Sequence, residues 1–260
     1  LRFASLGSGS RGNAALIEFR NTCLMLDCGF SARETTSRLA RLGKAGDTLT
    51  AIVLTHEHND HVSGVGAVAR EFNLPVWMTP GTLRAIEGRA GTLPDVKLIN
   101  LQEPFEINDI QIQPFPVPHD AREPAQFVFS DGARRLGVLT DTGSTTPHIE
   151  QALSGCHALV LECNHDREML MDGDYPPALK ARIGGSHGHL DNDTAARILQ
   201  KLDHSRLQHL VAAHLSEHNN TPYLARHTLS HAMGCEMQWV RIAEQLEGLP
   251  WCDIAPEVVF

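Results

Sequence analysis

Residues 55–61 read Thr-His-Glu-His-Asn-Asp-His, so three imidazoles and two carboxylates fall within seven positions. Such crowding has no packing value, and protonating these rings together would be mutually repulsive. It suits metal binding instead, because neutral imidazole and carboxylate are good ligands for Zn, Mn or Fe. His56 and His58 stand two apart, a spacing that points both rings the same way on an extended or turning backbone. The helical i, i+4 pair of H-E-x-x-H metalloproteases is a different arrangement. Asp60 and His61 follow at once, so one turn can offer donor pairs to two centres.

Four further donors sit where apolar runs stop: Asp27 in Met-Leu-Asp-Cys-Gly, His119 in Pro-Val-Pro-His-Asp, Asp141 in Val-Leu-Thr-Asp-Thr-Gly, and His214 in Leu-Val-Ala-Ala-His-Leu-Ser. Alone, each has an ordinary explanation as a turn or surface residue. Together with residues 56–61 they describe a site built from loops at one sheet edge, where α/β folds gather their ligands.

The elements that must position these donors are short. Apolar runs rich in β-branched residues predict strands at 2–6, 15–19, 23–27, 51–55, 76–79, 110–114, 127–130, 136–140, 158–162 and 210–213. Segments of helical period lie between them. Ser-Ala-Arg-Glu at 31–34 opens one with a capping box, and Gly43 closes it. Others begin at Gly64, at Asp191 and at Thr221-Pro222. Strands and helices intermingle, which predicts an α/β or α+β class with layered sheets and outer helices, as one domain over 1–260.

Net charge is −9 at 42% hydrophobic residues. That argues against holding nucleic acid by overall charge and leaves room for a local basic groove. Six cysteines without a C-x-x-C pair read as reduced thiols of a cytoplasmic protein, and no stretch reads as a signal peptide or a membrane span. The apolar end Val258-Val259-Phe260 could pack on the domain or on a partner, so a dimer stays open.

The ordered set Asp27, His56-x-His58-x-Asp60-His61, His119, Asp141, His214 resembles the five motifs of the metallo-β-lactamase fold superfamily across nearly the whole chain. The resemblance implies a four-layer αββα sandwich with two divalent metal ions at one edge of the sheets. His56, His58 and His119 would bind the first ion and Asp60, His61 and His214 the second, with Asp141 bridging. Asp27 would orient a ligand histidine through its other ring nitrogen. Two ions so bridged stand roughly 3.5–4 Å apart, and a water between them becomes a hydroxide nucleophile near neutral pH. Zn and Mn suit these donors about equally, and Fe is allowed.

A bridging Asp, where true β-lactamases carry Cys, directs the reading to phosphodiesterases, nucleases and glyoxalase II-like thioesterases. Segments 5–18, 162–166, 175–183, 188–192 and 214–220 are similar to the YycJ/WalJ group of metal-dependent hydrolases, to some of which DNA exonuclease activity is attributed. Asp191 and Cys163 depart from that pattern. The expected activity is therefore a nuclease on DNA or RNA; the alternative is a small-substrate thioesterase or cyclic phosphodiesterase. Asp60 is expected to act in catalysis, with His189 or His165 as general acid on the leaving oxygen. Lys180 and Arg182, with His187, are either a local basic rim that contacts substrate phosphate or the solvated charged face of an ordinary helix. Residues 7–13, Gly-Ser-Gly-Ser-Arg-Gly-Asn, are either a phosphate-binding loop or a glycine-rich hairpin turn.

Overall fold

Among the described residues the apolar runs pair into two mixed sheets of seven strands each. The computed structural model describes residues 1–256, and Val258, Val259 and Phe260 lie outside them. The first sheet takes β1 (Arg2–Gly7), β2 (Ala14–Phe19), β3 (Thr22–Leu26), β4 (Ala51–Val53), β5 (Pro75–Met78) and β6 (Asp95–Leu98). The second takes β7 (Phe105–Ile107), β8 (Ile110–Pro116), β9 (Ala125–Ser130), β10 (Arg135–Leu139), β11 (Ala158–Glu162), β12 (His209–Ala213) and β13 (Val240–Ile242). The chain then returns to the first sheet, where β14 (Leu249–Asp253) pairs antiparallel with β1.

Each sheet begins as antiparallel hairpins and changes to parallel pairing, at β3–β4 in the first and β10–β11 in the second. The parallel halves need crossovers, and these are the helices: α1 (Ala32–Arg41), α2 (Asn59–Val62), α3 (Val65–Phe72) and α4 (Pro80–Ile86) on one side. On the other side come α5 (Pro147–Leu153), α6 (Arg167–Asp172), α7 (Pro177–Ile183), α8 (Asn192–Lys201) and α9 (Pro222–Met233).

Three apolar cores bind the four layers. Between the sheets, Phe3, Leu24 and Val53 meet Ile112, Phe127 and Val211. Leu39, Val65 and Val68 cover the outer face of the first sheet on Leu16, Met25 and Ile52. Ile149, Ile198 and Leu229 cover the second on Leu139, Leu161 and Leu210. A buried side chain of this size contributes about 1.5–3 kcal/mol. This is the αββα sandwich expected from the sequence.

Caps follow the sequence closely. Ser31 Oγ accepts from Glu34 N–H at 3.3 Å, and Gly43 takes φ +70 beyond the end of α1. Glu34 does not complete the reciprocal box; its carboxylate accepts from Arg38 instead. Strands β6, β7, β13 and β14 were not legible. β6 is exposed and polar, β7 and β13 span three residues, and β14 contains Pro250 and sits at the sheet edge. Among the described residues no helix is long and apolar enough to cross a membrane.

Candidate metal centre

The carboxyl ends of β3, β4, β8, β10, β11 and β12 open on one edge of the sandwich, and each contributes polar side chains there. Just beyond β3, Asp27 takes φ +59; just beyond β12, His214 takes φ +55; two residues beyond β10, Asp141 takes φ +52. Left-handed backbone costs a non-glycine residue about 1–3 kcal/mol, and strain of this kind concentrates at functional sites. Here it turns three side chains out of their strand direction and into one cluster.

Asp27 organises the histidine loop. Its Oδ1 accepts from Thr55 N–H at 2.8 Å, and Thr55 Oγ1 lies 2.9–3.0 Å from both carboxylate oxygens. His61 Nδ1 lies 2.8 Å from Asp27 Oδ2, and His56 Nδ1 lies 3.0 Å from Thr55 Oγ1. The Thr55 hydroxyl gives its one proton to Asp27, so His56 must donate to it. Each ring therefore keeps its proton on Nδ1 when neutral, which leaves Nε2 as the atom that can bind a cation. His119 is oriented likewise, with Nδ1 3.1 Å from Gly188 O. His58 is reversed: its Nε2 lies 3.2 Å from Asp120 O and its Nδ1 3.2 Å from His119 Nε2.

The donors converge in groups. His56, His58 and His119 offer ligand atoms within 4.8 Å of one another, as do Asp60, His61 and His214, and His56, His61 and Asp141. Asp141 stands between: its Oδ2 is 3.3 Å from His61 Nε2, and its Oδ1 is 3.4 Å from His214 Nε2. Yet His56 Nε2 and Asp141 Oδ2 are buried without a hydrogen-bond partner. An unsatisfied buried acceptor costs about 1–3 kcal/mol. A cation would satisfy both, so the donor set fits divalent metal ions.

The charges say the same. Burial pulls the His61 pKa down, but the Asp141, Asp27 and Asp60 carboxylates outweigh it and hold it well above the usual range. His214 responds alike: burial is overcome by Asp141, with Asp60 and Glu162, and its pKa rises to about 10. Asp60 and Asp141 oppose burial with these same histidines and stay ionised far below ordinary carboxylate values. His56 is driven low by burial and the neighbouring His61. Without metal, two imidazolium protons supply the positive charge that the carboxylates demand.

Two participants escaped the sequence reading. Glu162, fully buried at the end of β11, accepts from Thr142 N–H and Leu190 N–H, both at 3.1 Å. Its Oε1 lies 2.8 Å from His189 Nδ1 and 3.4 Å from His214 Nδ1. Burial pushes its pKa up, but His189 and His214 bring it to about 2. The signal was present, an acid ending an apolar strand, as for Asp141. Asn13 was hidden in the glycine-rich loop. Its Nδ2 lies 3.2 Å from Asp60 Oδ2 and 3.1 Å from His61 Nε2. That loop is a hairpin turn, with N–H groups of Gly9, Gly12, Asn13 and Arg11 directed to Asn13 Oδ1, Gly9 O, Asp60 O and Gln245 Oε1.

The remaining candidates divide. His189 lines the cleft over the donors, its ring stacked on His214 at 5.3 Å. Arg182 lines the same cleft, about 320 Å³ in volume, with its Nε 2.6 Å from Asp120 Oδ2. His187 is exposed nearby, and its carbonyl accepts from Asp120 N–H at 3.0 Å. His165 is not brought to the metal donors: it is buried with Nδ1 3.4 Å from Asn164 Oδ1, on a different pocket that Lys180 also lines.

Comparison with known proteins agrees with this geometry. A family model described as a β-lactamase superfamily domain matches residues 22–215, which include all seven expected ligands. The chain belongs to that superfamily. It is 35% identical to exodeoxyribonuclease YycJ of Bacillus anthracis over 235 residues, 90% of this chain and 89% of that protein. It is 32% identical to exodeoxyribonuclease WalJ of Streptococcus pneumoniae, over 88% and 86% of the two chains. The metallo-β-lactamase fold protein YhfI from Bacillus subtilis superposes with a TM-score of 0.76 at 17% identity, over 97% of this chain and 99% of that one. The departures at Asp191 and Cys163 leave the donors untouched. Asp191 caps α8, accepting from Thr194 N–H at 2.8 Å, and Cys163 is fully buried in the outer core.

Proposed function

We propose that residues 1–260 form one divalent-metal-dependent phosphodiesterase that cuts nucleic acid, with DNA ends as the favoured substrate. The observation that carries this reading is the convergence of seven donors around the orphaned His56 Nε2 and Asp141 Oδ2, in a chain with exodeoxyribonuclease relatives along most of its length. His56, His58 and His119 would hold one cation and Asp60, His61 and His214 a second, with Asp141 shared between them. Zn, Mn or Fe would suit these donors, and when bound would supply an activated water and positive charge to offset the phosphate.

The chain's own residues would do the rest. Asp27 and Thr55 fix the ring orientations of His61 and His56. Glu162 ties down His189 at Nδ1, leaving Nε2 to carry the proton to the leaving oxygen. His189 is suited to that role: burial lowers its pKa, but Glu162, with Asp141, raises it above the usual imidazole range. Arg182 and His187 stand on the rim for phosphate contacts, with Arg182 shared with Asp120. The six unpaired cysteines support a reducing, cytoplasmic setting.

The test is hydrolysis of labelled single- and double-stranded DNA and RNA by the metal-loaded protein. Wild type should cleave at least one of them and Asp60→Ala should lose several powers of ten. Equal cleavage by both proteins, or none by wild type, removes the proposal.

A further inference from the structure

Two sequence candidates that fall outside the metal cleft, His165 and Lys180, meet in a second pocket. This pocket is about 660 Å³, roughly twice the cleft, and α7 lends residues to both. None of the residues of that helix is buried. On one face Arg182 and Ile183 line the cleft; on the other Lys180, Ala181 and Pro177 line the pocket.

The pocket has a distinct chemistry. Leu170, Met171 and Pro177 give it an apolar surface, and Met171 is 63% exposed, one of few large apolar side chains left in water among the described residues. Lys180 and Arg167 stand over that surface. The Lys180 ammonium donates to Met171 O at 2.5 Å, which steadies it and leaves two further N–H donors. Arg167 reaches Asp191 only at 3.8 Å, and that carboxylate is already engaged by Thr194 N–H and Oγ1 at 2.8 Å each. His165 forms part of the wall, with its Nδ1 held by Asn164.

We infer that this pocket is a subsite for a second nucleotide of the substrate strand, one that has crossed α7 from the metal cleft. The inference rests on the nuclease reading above. A base lies on the apolar surface with an edge atom within reach of His165, and the flanking phosphate is held by Lys180 and Arg167. Proteins grip single strands without reading sequence by pairing cations along the backbone with side-chain platforms for the bases, aromatic in the usual case; here Leu170, Met171 and Pro177 take the platform's place. The arrangement also suits a strand over a duplex, because a paired base could not drop into a pocket behind a helix. It answers the acidic net charge as well, since cations are needed only along the strand's path.

The experiment compares the metal-loaded wild type with two surface variants, Arg167→Glu/Lys180→Glu and Ala181→Trp, the second filling the pocket without altering charge. Substrates are bis(4-nitrophenyl) phosphate, which spans only the cleft, and single-stranded oligodeoxynucleotides from two residues to a dozen. Wild type should prefer the longer strands. Both variants should lose that preference, with KM raised about tenfold or more, kcat unchanged, and the small ester hydrolysed at the wild-type rate. The charge-reversed variant should also show a shallower salt dependence, by about 0.7 in the log–log slope for each phosphate it no longer holds. Variants that keep the full length preference, or that lose ester and strand hydrolysis together, overturn the subsite. A wild type that hydrolyses the ester but no nucleic acid overturns the nuclease reading itself, and the subsite with it.

Discussion

Asp27 Oδ2 lies 2.8 Å from His61 Nδ1, joining two residues thirty-four positions apart. The same carboxylate accepts from Thr55 N–H and lies within 3.0 Å of the Thr55 hydroxyl that meets His56. One buried acid therefore orients a histidine from each of the two proposed metal sites. Asp27→Asn keeps the shape but weakens the acceptor. Metal affinity measured by competitive chelation should fall about 10–100-fold, the usual effect of losing a partner behind a ligand. Unchanged affinity would mean that Asp27 only supports the turn.

Glu162→Gln separates positioning from proton supply. Burial lowers the His189 pKa and Glu162 raises it, with the net shift upward. Removing the carboxylate charge therefore brings the His189 pKa down. A general acid must be protonated, so activity declines as pH rises through its pKa. The basic limb of the kcat profile should move to lower pH in Glu162→Gln, and a limb that stays in place argues against His189 as the acid.

Metal removal should make stability depend on pH in a defined window. In the metal-free protein the His214 pKa rises to about 10, against roughly 6.5 for an unfolded histidine. A raised folded pKa gives stability that is complete below about 6.5 and lost as pH climbs toward 10. The melting temperature in excess chelator should therefore fall steadily across that range. With metal bound, the cation replaces the proton and this decline should be absent or much reduced. Parallel curves with and without chelator would contradict the charge assignment.

Asn13→Ala probes the other missed residue. Its Nδ2 stands 3.2 Å from Asp60 Oδ2, and its loss leaves Asp60 without that donor. The metal occupying the Asp60 group should bind more weakly, by about 10–100-fold, while the His56 group keeps its affinity. Stepwise calorimetric titration should resolve the two, and equal weakening of both would count against a local role.

The core between the sheets supports the whole edge. Phe127 is fully buried there, so Phe127→Ala should cost about 3–5 kcal/mol in urea unfolding. A loss under about 1 kcal/mol would mean that the sheets repack.

Much of the site was legible without coordinates, because ligand chemistry and strand period are local properties. Imidazole and carboxylate types identify themselves, and a strand that ends in a donor leaves it at a sheet edge. That logic brought Asp27, the 56–61 cluster, His119, Asp141 and His214 to one place. The same logic applied to Glu162 would have found it. Strands β6, β7, β13 and β14 were hidden because length, polarity or proline erased their alternation, and only pairing with a neighbour makes them strands.

By itself the sequence determined the donor set, the class of fold and the order of most elements. Tertiary structure decided which histidines serve together. His165 follows β11 and His189 follows α7, yet packing sends His189 over the donors, stacked on His214, and His165 into the second pocket. It also decided the left-handed turns at Asp27, Asp141 and His214, and the seat of Asn13 against Asp60. The physical reason is range. Residue type and periodicity act over a few positions, whereas the direction of a side chain leaving a strand end is set by contacts with elements dozens of residues away.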